Sequence, residues 1–117
     1  MGEYSFPKAF HLRRAGDFHQ VYASGVKKHT RGFIIFRRPN ELEHPRLGLS
    51  VSRKYGSAVR RNRIKRLIRE AVRLHWQRWN LEGSDIVIIT KRSSAGFGFQ
   101  DVREDFSRFF SRRPEVH

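Results

Sequence analysis

The chain has 117 residues, 25 of them Lys or Arg against 11 Asp or Glu, a net charge of +14. The length predicts one domain over residues 1–117, and the charge suits a polyanion, nucleic acid before a membrane surface. With 38% hydrophobic residues, ten Phe, no Cys and no stretch near the roughly 20 apolar residues of a membrane span, it is neither a disordered, a disulfide-built nor a membrane-spanning chain, and it suits a reducing cytoplasm.

The N-terminus, Met1-Gly2-Glu3-Tyr4-Ser5-Phe6, lacks the basic and apolar regions of a secretory signal. Phe6 stands where acylation of Gly2 wants Ser or Thr. Phe6, Pro7, Phe10 and Leu12 predict an irregular segment tucked onto the fold. Arg14 to Ser24 reads as a short helix, with Phe18, Val21 and Tyr22 at i, i+3 and i+4 and Gly25 as a C′ residue. Val26 to His29 and Phe33 to Arg38 read as strands, the second stopped by Pro39-Asn40. Phe33 and Phe36 must point to opposite faces of that strand. Arg46 to Ser52 alternates cleanly: Leu47, Leu49 and Val51 face one way, Gly48, Ser50 and Ser52 the other. The second face is small and polar and leaves room for a ligand on the sheet.

Ser57 is an N-cap for a long helix running to about Trp79 and ended by Asn80 and Gly83. Ile64, Leu67, Ile68, Ala71, Val72, His75 and Trp79 make an apolar stripe, with His75 expected in the core. Asn62, Lys65, Arg66, Arg69 and Arg73 make the opposite stripe. Ile86-Val87-Ile88-Ile89, within Asp85 to Thr90, reads as a strand covered on both faces. A Gly/Ser loop over Ser93 to Gly98 precedes a last helix with Val102, Phe106, Phe109 and Phe110 inward. Its N-terminal Asp101, Glu104 and Asp105 suit the helix dipole, and Ser111-Arg112-Arg113-Pro114 reads as a tail. The α-β-β-β-α-β-α order predicts an α+β two-layer sandwich with a small, mostly antiparallel sheet of about four strands. The strand–helix–strand passage around the long helix predicts one parallel pair by crossover, right-handed by the general rule.

The functional signal is concentrated between Glu43 and Glu70. That stretch contains no acidic residue and nine basic ones, most of them in Arg60-Arg61-Asn62-Arg63-Ile64-Lys65-Arg66-Leu67-Ile68-Arg69. A merely solvated helix face would mix signs and place Glu–Lys pairs four residues apart. A face of one sign is a phosphate-binding face, and Arg suits it because its planar fork pairs bidentately with phosphate. Phe18, Tyr22, Phe33 and Phe36 are core residues in the simplest reading; an aromatic shown beside a basic region is also a way to stack unpaired bases. The six His form no metal-ligand spacing, no nucleophile motif or phosphate loop is present, and no close pair of carboxylates suggests nuclease chemistry. The residues carry binding chemistry and no catalytic set.

The run from Gly56 to Glu70 with Arg61-Asn62-Arg63 at its heart closely resembles the RNR signature of the protein subunit of bacterial ribonuclease P. The resemblance extends to Leu47-Gly48-Leu49-Ser50-Val51-Ser52-Arg53-Lys54, to Asp17-Phe18 with Tyr22, and to Asp85-Ile86-Val87-Ile88-Ile89. It covers roughly residues 10 to 110, with Tyr55 and Arg60 as its main departures. It implies an α+β sandwich whose crossover is left-handed, against the general rule. It implies a protein without an active site of its own, subunit of an endoribonuclease whose RNA is the catalyst. That RNA hydrolyses a phosphodiester to remove the 5′ leader of precursor tRNA, using Mg²⁺ held mainly by the RNA. On this resemblance Arg53, Lys54, Arg61, Asn62, Arg63, Lys65, Arg66 and Arg69 would contact the catalytic RNA. Phe18, Tyr22, Phe36, Ser50 and Ser52 would line a cleft for the single-stranded leader. No small-molecule substrate, membrane partner or protein-held metal is implied. Two alternatives stay open on the residues alone: a general or ribosomal RNA-binding module without leader preference, and a nuclease acting without RNA.

Overall fold

The computed structural model describes residues 6–110; the expected tail from Ser111 and the reading of Met1 to Ser5 lie outside them. Four strands and three helices follow in the expected order: α1 (Ala15–Ser24), β1 (Val26–His29), β2 (Phe33–Pro39), β3 (Arg46–Ser50), α2 (Ala58–His75), β4 (Ser84–Thr90) and α3 (Phe99–Phe110), with single 3-10 turns at Lys8–Phe10, Arg53–Tyr55 and Arg92–Ser94. The sheet order is β1-β2-β4-β3. β1 pairs β2 and β2 pairs β4 antiparallel, while β3 pairs β4 in parallel across the α2 crossover. The other edge of β3 is partly covered by the N-terminal segment, where the Leu12 amide donates to the Leu47 carbonyl at 2.9 Å.

The alternation of the strands sorts their side chains onto two faces. On one, Phe33, Ile35, Leu47, Ile86 and Ile88 meet Ile64, Ile68, Ala71 and Val72 of α2 and Val102, Phe106 and Phe110 of α3 in the main core. Burying each such large side chain contributes roughly 1.5–3 kcal/mol, which offsets the crowding of charge on the outer side of α2. On the other face Leu12, Val21 and Val87 form a smaller cluster with Phe18 and Phe36 against it. The sheet therefore carries α2 and α3 on one side and, over part of the other, the short α1. Phe33 and Phe36 part as expected, the first into the main core, the second beneath α1.

Three local expectations change. Gly25 follows α1 with φ −81°, an extended conformation and no left-handed cap; the glycine is needed because a Cβ there would lie 2.5 Å from the Val21 carbonyl oxygen and 3.1 Å from that of Arg37. Regular α2 stops at His75, but the turn continues to Trp79. Asn80 then takes φ 58°, with Leu81 N–H bonded to the Trp76 carbonyl and Asn80 N–H to that of Gln77, the paired bonds of a Schellman ending. Asp105 does not serve the α3 dipole. It is buried and accepts from Thr30 Oγ1 (2.8 Å) and the Arg31 and Gly32 amides (3.2 and 2.9 Å), pinning the β1–β2 turn to α3. His75 is half-buried, its Nδ1 3.0 Å from the Ala71 carbonyl oxygen and its ring stacked on buried Trp79 at 4.8 Å.

Candidate nucleic-acid interface

Ser57 caps α2, its Oγ accepting from the Arg60 amide at 3.3 Å. With the apolar stripe fixed on the sheet, helical phase turns Asn62, Lys65, Arg66 and Arg69 away from it. Asn62, Arg66 and Arg69 line a shallow depression of about 300 Å³ together with Glu70 and Phe6 of the N-terminal segment. Partial burial in that wall lowers the pKa of Arg69, so its charge is poorly solvated and suits an anion. His11 stands behind it: burial first, then the charges of Arg69 and Arg13, hold its pKa below the usual histidine range. Among the described residues Glu70 is the sole acid lining the depression and is engaged by Arg73 at 2.6 and 3.1 Å, which lowers its pKa despite some opposing burial.

Arg61 and Arg63 sit on the flanks of this face. Arg61 Nη1 donates to the Gly56 carbonyl at 2.8 Å and Arg63 Nη1 to the Phe97 carbonyl at 2.8 Å. The two arginines of the Arg-Asn-Arg motif thus fasten the loop before α2 and the loop before α3, with guanidinium edges left for phosphate. Arg53 and Lys54 are exposed on the 3-10 turn joining β3 to α2.

The other candidate surface lies on the opposite sheet face. Phe36, Val87 and Gly48 are register neighbours across β2, β4 and β3. Gly48 leaves a gap that the Phe18 ring fills: a Cβ there would be 2.5 Å from Phe18 Cζ. Tyr22, one turn along α1 and 38% exposed, meets Phe18 at 6.4 Å between centroids and the Phe36 ring edge-on at 4.9 Å. The three aromatics named from the sequence are one contiguous group. Ser50 follows Gly48 on the same face, paired to Ile89, which pairs in turn to Ile34. β3 ends at Ser50, so Ser52 belongs to the connection toward α2, where it is exposed. Half-buried Ile34 and Ile89 complete the apolar floor, and Lys27 Nζ stands 5.8 Å from the Phe36 ring centre. None of these three was singled out from the sequence; period-two alternation contains the signal, but only once the strand order is known.

At one side of this face Arg46 bonds bidentately to Asp85 at 2.7 and 2.8 Å, which raises its pKa. Asp17 approaches the same guanidinium at 4.0 Å, and Asn40 Nδ2 donates to Asp85 at 2.8 Å. The carboxylates nearest the cleft are therefore engaged with Arg46, Asp85 from the neighbouring strand and Asp17 from α1. Among the described residues no three His, Asp or Glu side chains gather as a metal cage, and no helix is long and apolar enough to cross a membrane.

The sequence profile of the Ribonuclease P family matches residues 6–113. The ribonuclease P protein component of Syntrophus aciditrophicus is 36% identical over 98% of this chain and 96% of its own length. That of Desulforapulum autotrophicum is 40% identical over 96% and 95%. Among solved structures, the RNase P protein from Thermotoga maritima superposes with a TM-score of 0.79 at 32% identity, covering 88% of this chain and 96% of that one. The RNase P protein of Staphylococcus aureus gives 0.78 at 32% identity, covering 86% and 92%. The chain shares its fold with these proteins over most of its length and is a member of the ribonuclease P protein family.

Proposed function

We propose that the chain is the protein component of ribonuclease P: its α2 face binds the catalytic RNA, and its α1–sheet cleft binds the 5′ leader of precursor tRNA. Family membership over nearly the whole chain supports the enzyme, an endoribonuclease acting in tRNA 5′ maturation. The observation that carries the division of labour is the pairing of two unlike surfaces. One is cationic and acid-poor, suited to a folded RNA's phosphates. The other is an aromatic and aliphatic floor with small polar residues, suited to unstacked bases.

In this reading Asn62, Lys65, Arg66 and Arg69 dock against the catalytic RNA, with Arg53, Lys54, Arg61 and Arg63 extending the contact. Their charge relieves repulsion between two polyanions. Tyr22, Phe36, Ser50 and Ser52 receive the leader, with Phe18 as the packed support, and so favour precursor over product. Asp17 and Asp85 both face Arg46, and Glu70 is held by Arg73. In this reading the Mg²⁺ that the reaction uses is held mainly by the RNA.

The test is reconstitution with the catalytic RNA at low Mg²⁺, with and without the protein, comparing precursor and mature tRNA. The protein should restore cleavage and raise precursor affinity above that of mature tRNA. Tyr22→Ala should cost about 1–3 kcal/mol of precursor binding, the scale of one base–aromatic stack, and leave mature tRNA unchanged. Equal loss for both would remove the cleft assignment, and cleavage by protein without RNA would replace the whole reading.

A further inference from the structure

The core face of the sheet is not fully covered. α2 and α3 pack over β2, β4 and β3, and beside β1 a groove of about 870 Å³ remains, walled on its far side by Phe109 and Phe110. Register directs Val26 and Lys28 of β1, with Arg37 of β2, to this face. His29, from the opposite pleat, reaches the rim. None of the described residues lining the groove is acidic.

Arg37 gives the groove its character. It is half-buried, with Nε donating to Ser84 Oγ at 2.9 Å and Nη2 to the Asn80 carbonyl at 2.6 Å, and its guanidinium lies 6.0 Å from the Phe110 ring centre. These partners are neutral, and no carboxylate comes within ion-pair distance among the described residues. Burial lowers its pKa, with the more distant Glu82 opposing. A cation taken out of water and held rigidly by neutral acceptors lacks its counter-ion, and a phosphate offers the matching fork. Half-buried Phe109 at the groove's far wall offers a stacking surface.

The groove is continuous with the leader cleft around a free sheet edge. β1 is exposed along its whole length and, among the described residues, pairs only with β2. Lys27 and His29 face the cleft, Val26 and Lys28 the groove, so a strand of RNA leaving the cleft over β1 meets cations on both sides of the turn. We propose that this groove binds the 5′-distal part of a long single-stranded leader, after the proximal part has occupied the α1 cleft. The inference rests on the leader reading above and extends it to a second site on the other sheet face.

The test uses holoenzyme reconstituted with the catalytic RNA and precursors with leaders of about 5 and about 15 nucleotides, near the two ends of the roughly 4–16 nucleotides one small single-strand-binding fold covers. Lys28 is exposed, and alanine keeps its backbone pairing with Ile35. Lys28→Ala should weaken the long-leader precursor about three- to tenfold and make its salt dependence shallower by about 0.7 in log–log slope, the value for one single-strand phosphate contact. The short-leader precursor should be unaffected. A photoreactive uridine near the 5′ end of the long leader should crosslink to the β1–β2 hairpin. Equal weakening at both lengths overturns the proposal. So does no weakening at either, the outcome expected if residues 111–117 or a second copy of the chain fills the groove. Tyr22→Ala with the short leader reads the cleft separately: loss of its effect while that of Lys28→Ala persists removes the cleft reading and leaves the groove.

Discussion

Gly48→Ala isolates the contact on which the cleft is built. The Gly48 backbone does not have positive φ, so alanine is conformationally acceptable there. Space is the obstacle: the added Cβ would lie 2.5, 2.8 and 3.1 Å from Phe18 Cζ, Cε2 and Cε1. Comfortable carbon–carbon contact begins near 3.5 Å, so the ring must retreat by about 1 Å. α1 cannot lift freely to allow this, because Val21 on the same helix is fully buried against the sheet. Overpacking of this kind costs about 1–3 kcal/mol. Against it stands a gain of about 0.5–1 kcal/mol from replacing a strand glycine, which restricts the unfolded chain. A net loss of about 1–2 kcal/mol is expected. In a Phe18→Ala background the clash is gone and only the gain remains, so Gly48→Ala should then stabilise by about 0.5 kcal/mol. Urea unfolding of the four proteins in the cycle measures the coupling. The same loss in both backgrounds would refute the assignment of Phe18 as the residue seated on Gly48. In the holoenzyme Gly48→Ala should also reduce precursor preference, because Phe18 supports Tyr22.

Two further predictions concern α2. If about five phosphates are neutralised, the log–log salt slope of holoenzyme assembly is roughly −3.5 to −4.5, and Arg66→Ala should make it shallower by about 0.7–0.9 without altering precursor preference; an unchanged slope in filter binding would place Arg66 outside the interface. Glu70→Gln should move stability and binding in opposite directions. The Arg73 hydrogen bond holds the folded pKa of Glu70 below its ordinary 4.5, so its stabilising contribution is complete above that pH and is lost as pH falls through the lower folded value. The side chain is 42% exposed, so screening keeps the effect well under about 1 kcal/mol. Glu70→Gln should then be slightly less stable than wild type near pH 7, equal to it in acid, and tighter for the catalytic RNA by a fewfold; weaker RNA binding would contradict the placement of Glu70 in the cationic depression.

The helix face was legible because two periodicities coincide in one segment. Ile64, Ile68, Ala71 and Val72 fix which side of α2 is buried, and the cations fall opposite by helical phase alone. β4 and its parallel partner were legible from an unbroken apolar run separated from β3 by a helix. The cleft was only half legible. Alternation places Gly48 and Ser50 on one face of β3, and Phe36 apart from Phe33 on β2, but it does not say which strands are neighbours. Insertion of β4 between β2 and β3 decides the distance from Phe36 to Gly48, and with it the inclusion of Ile34 and Ile89 in the floor. The role of Asp105 was not legible, because its partners at residues 30–32 lie more than 70 positions away in the chain. Arg61 and Arg63 read as free cations for the same reason: their carbonyl partners belong to loops whose paths no local pattern fixes.

The connection from β3 to α2 explains how two surfaces on opposite sides of one sheet can serve a single RNA complex. Ser50 ends the strand on the cleft side, and Ser52, Arg53 and Lys54 then lead into the helix. The cleft floor and the cationic face are thus joined through one short, exposed, basic turn. Neither surface alone distinguishes precursor from product. In the proposed reading the α2 face would give affinity that depends on salt and is blind to sequence, while the cleft would give stacking that any single strand satisfies. Discrimination needs both to be occupied by one assembly, because tethering the leader near the cleft makes the second contact intramolecular. On that logic the rigidity of the β3–α2 turn matters as much as its charge. Its anchors, Ser57 on the Arg60 amide and Arg61 on the Gly56 carbonyl, come from the motif that carries the RNA-binding charge. The Arg-Asn-Arg segment therefore both supplies cations and fixes where the proposed leader cleft ends relative to them.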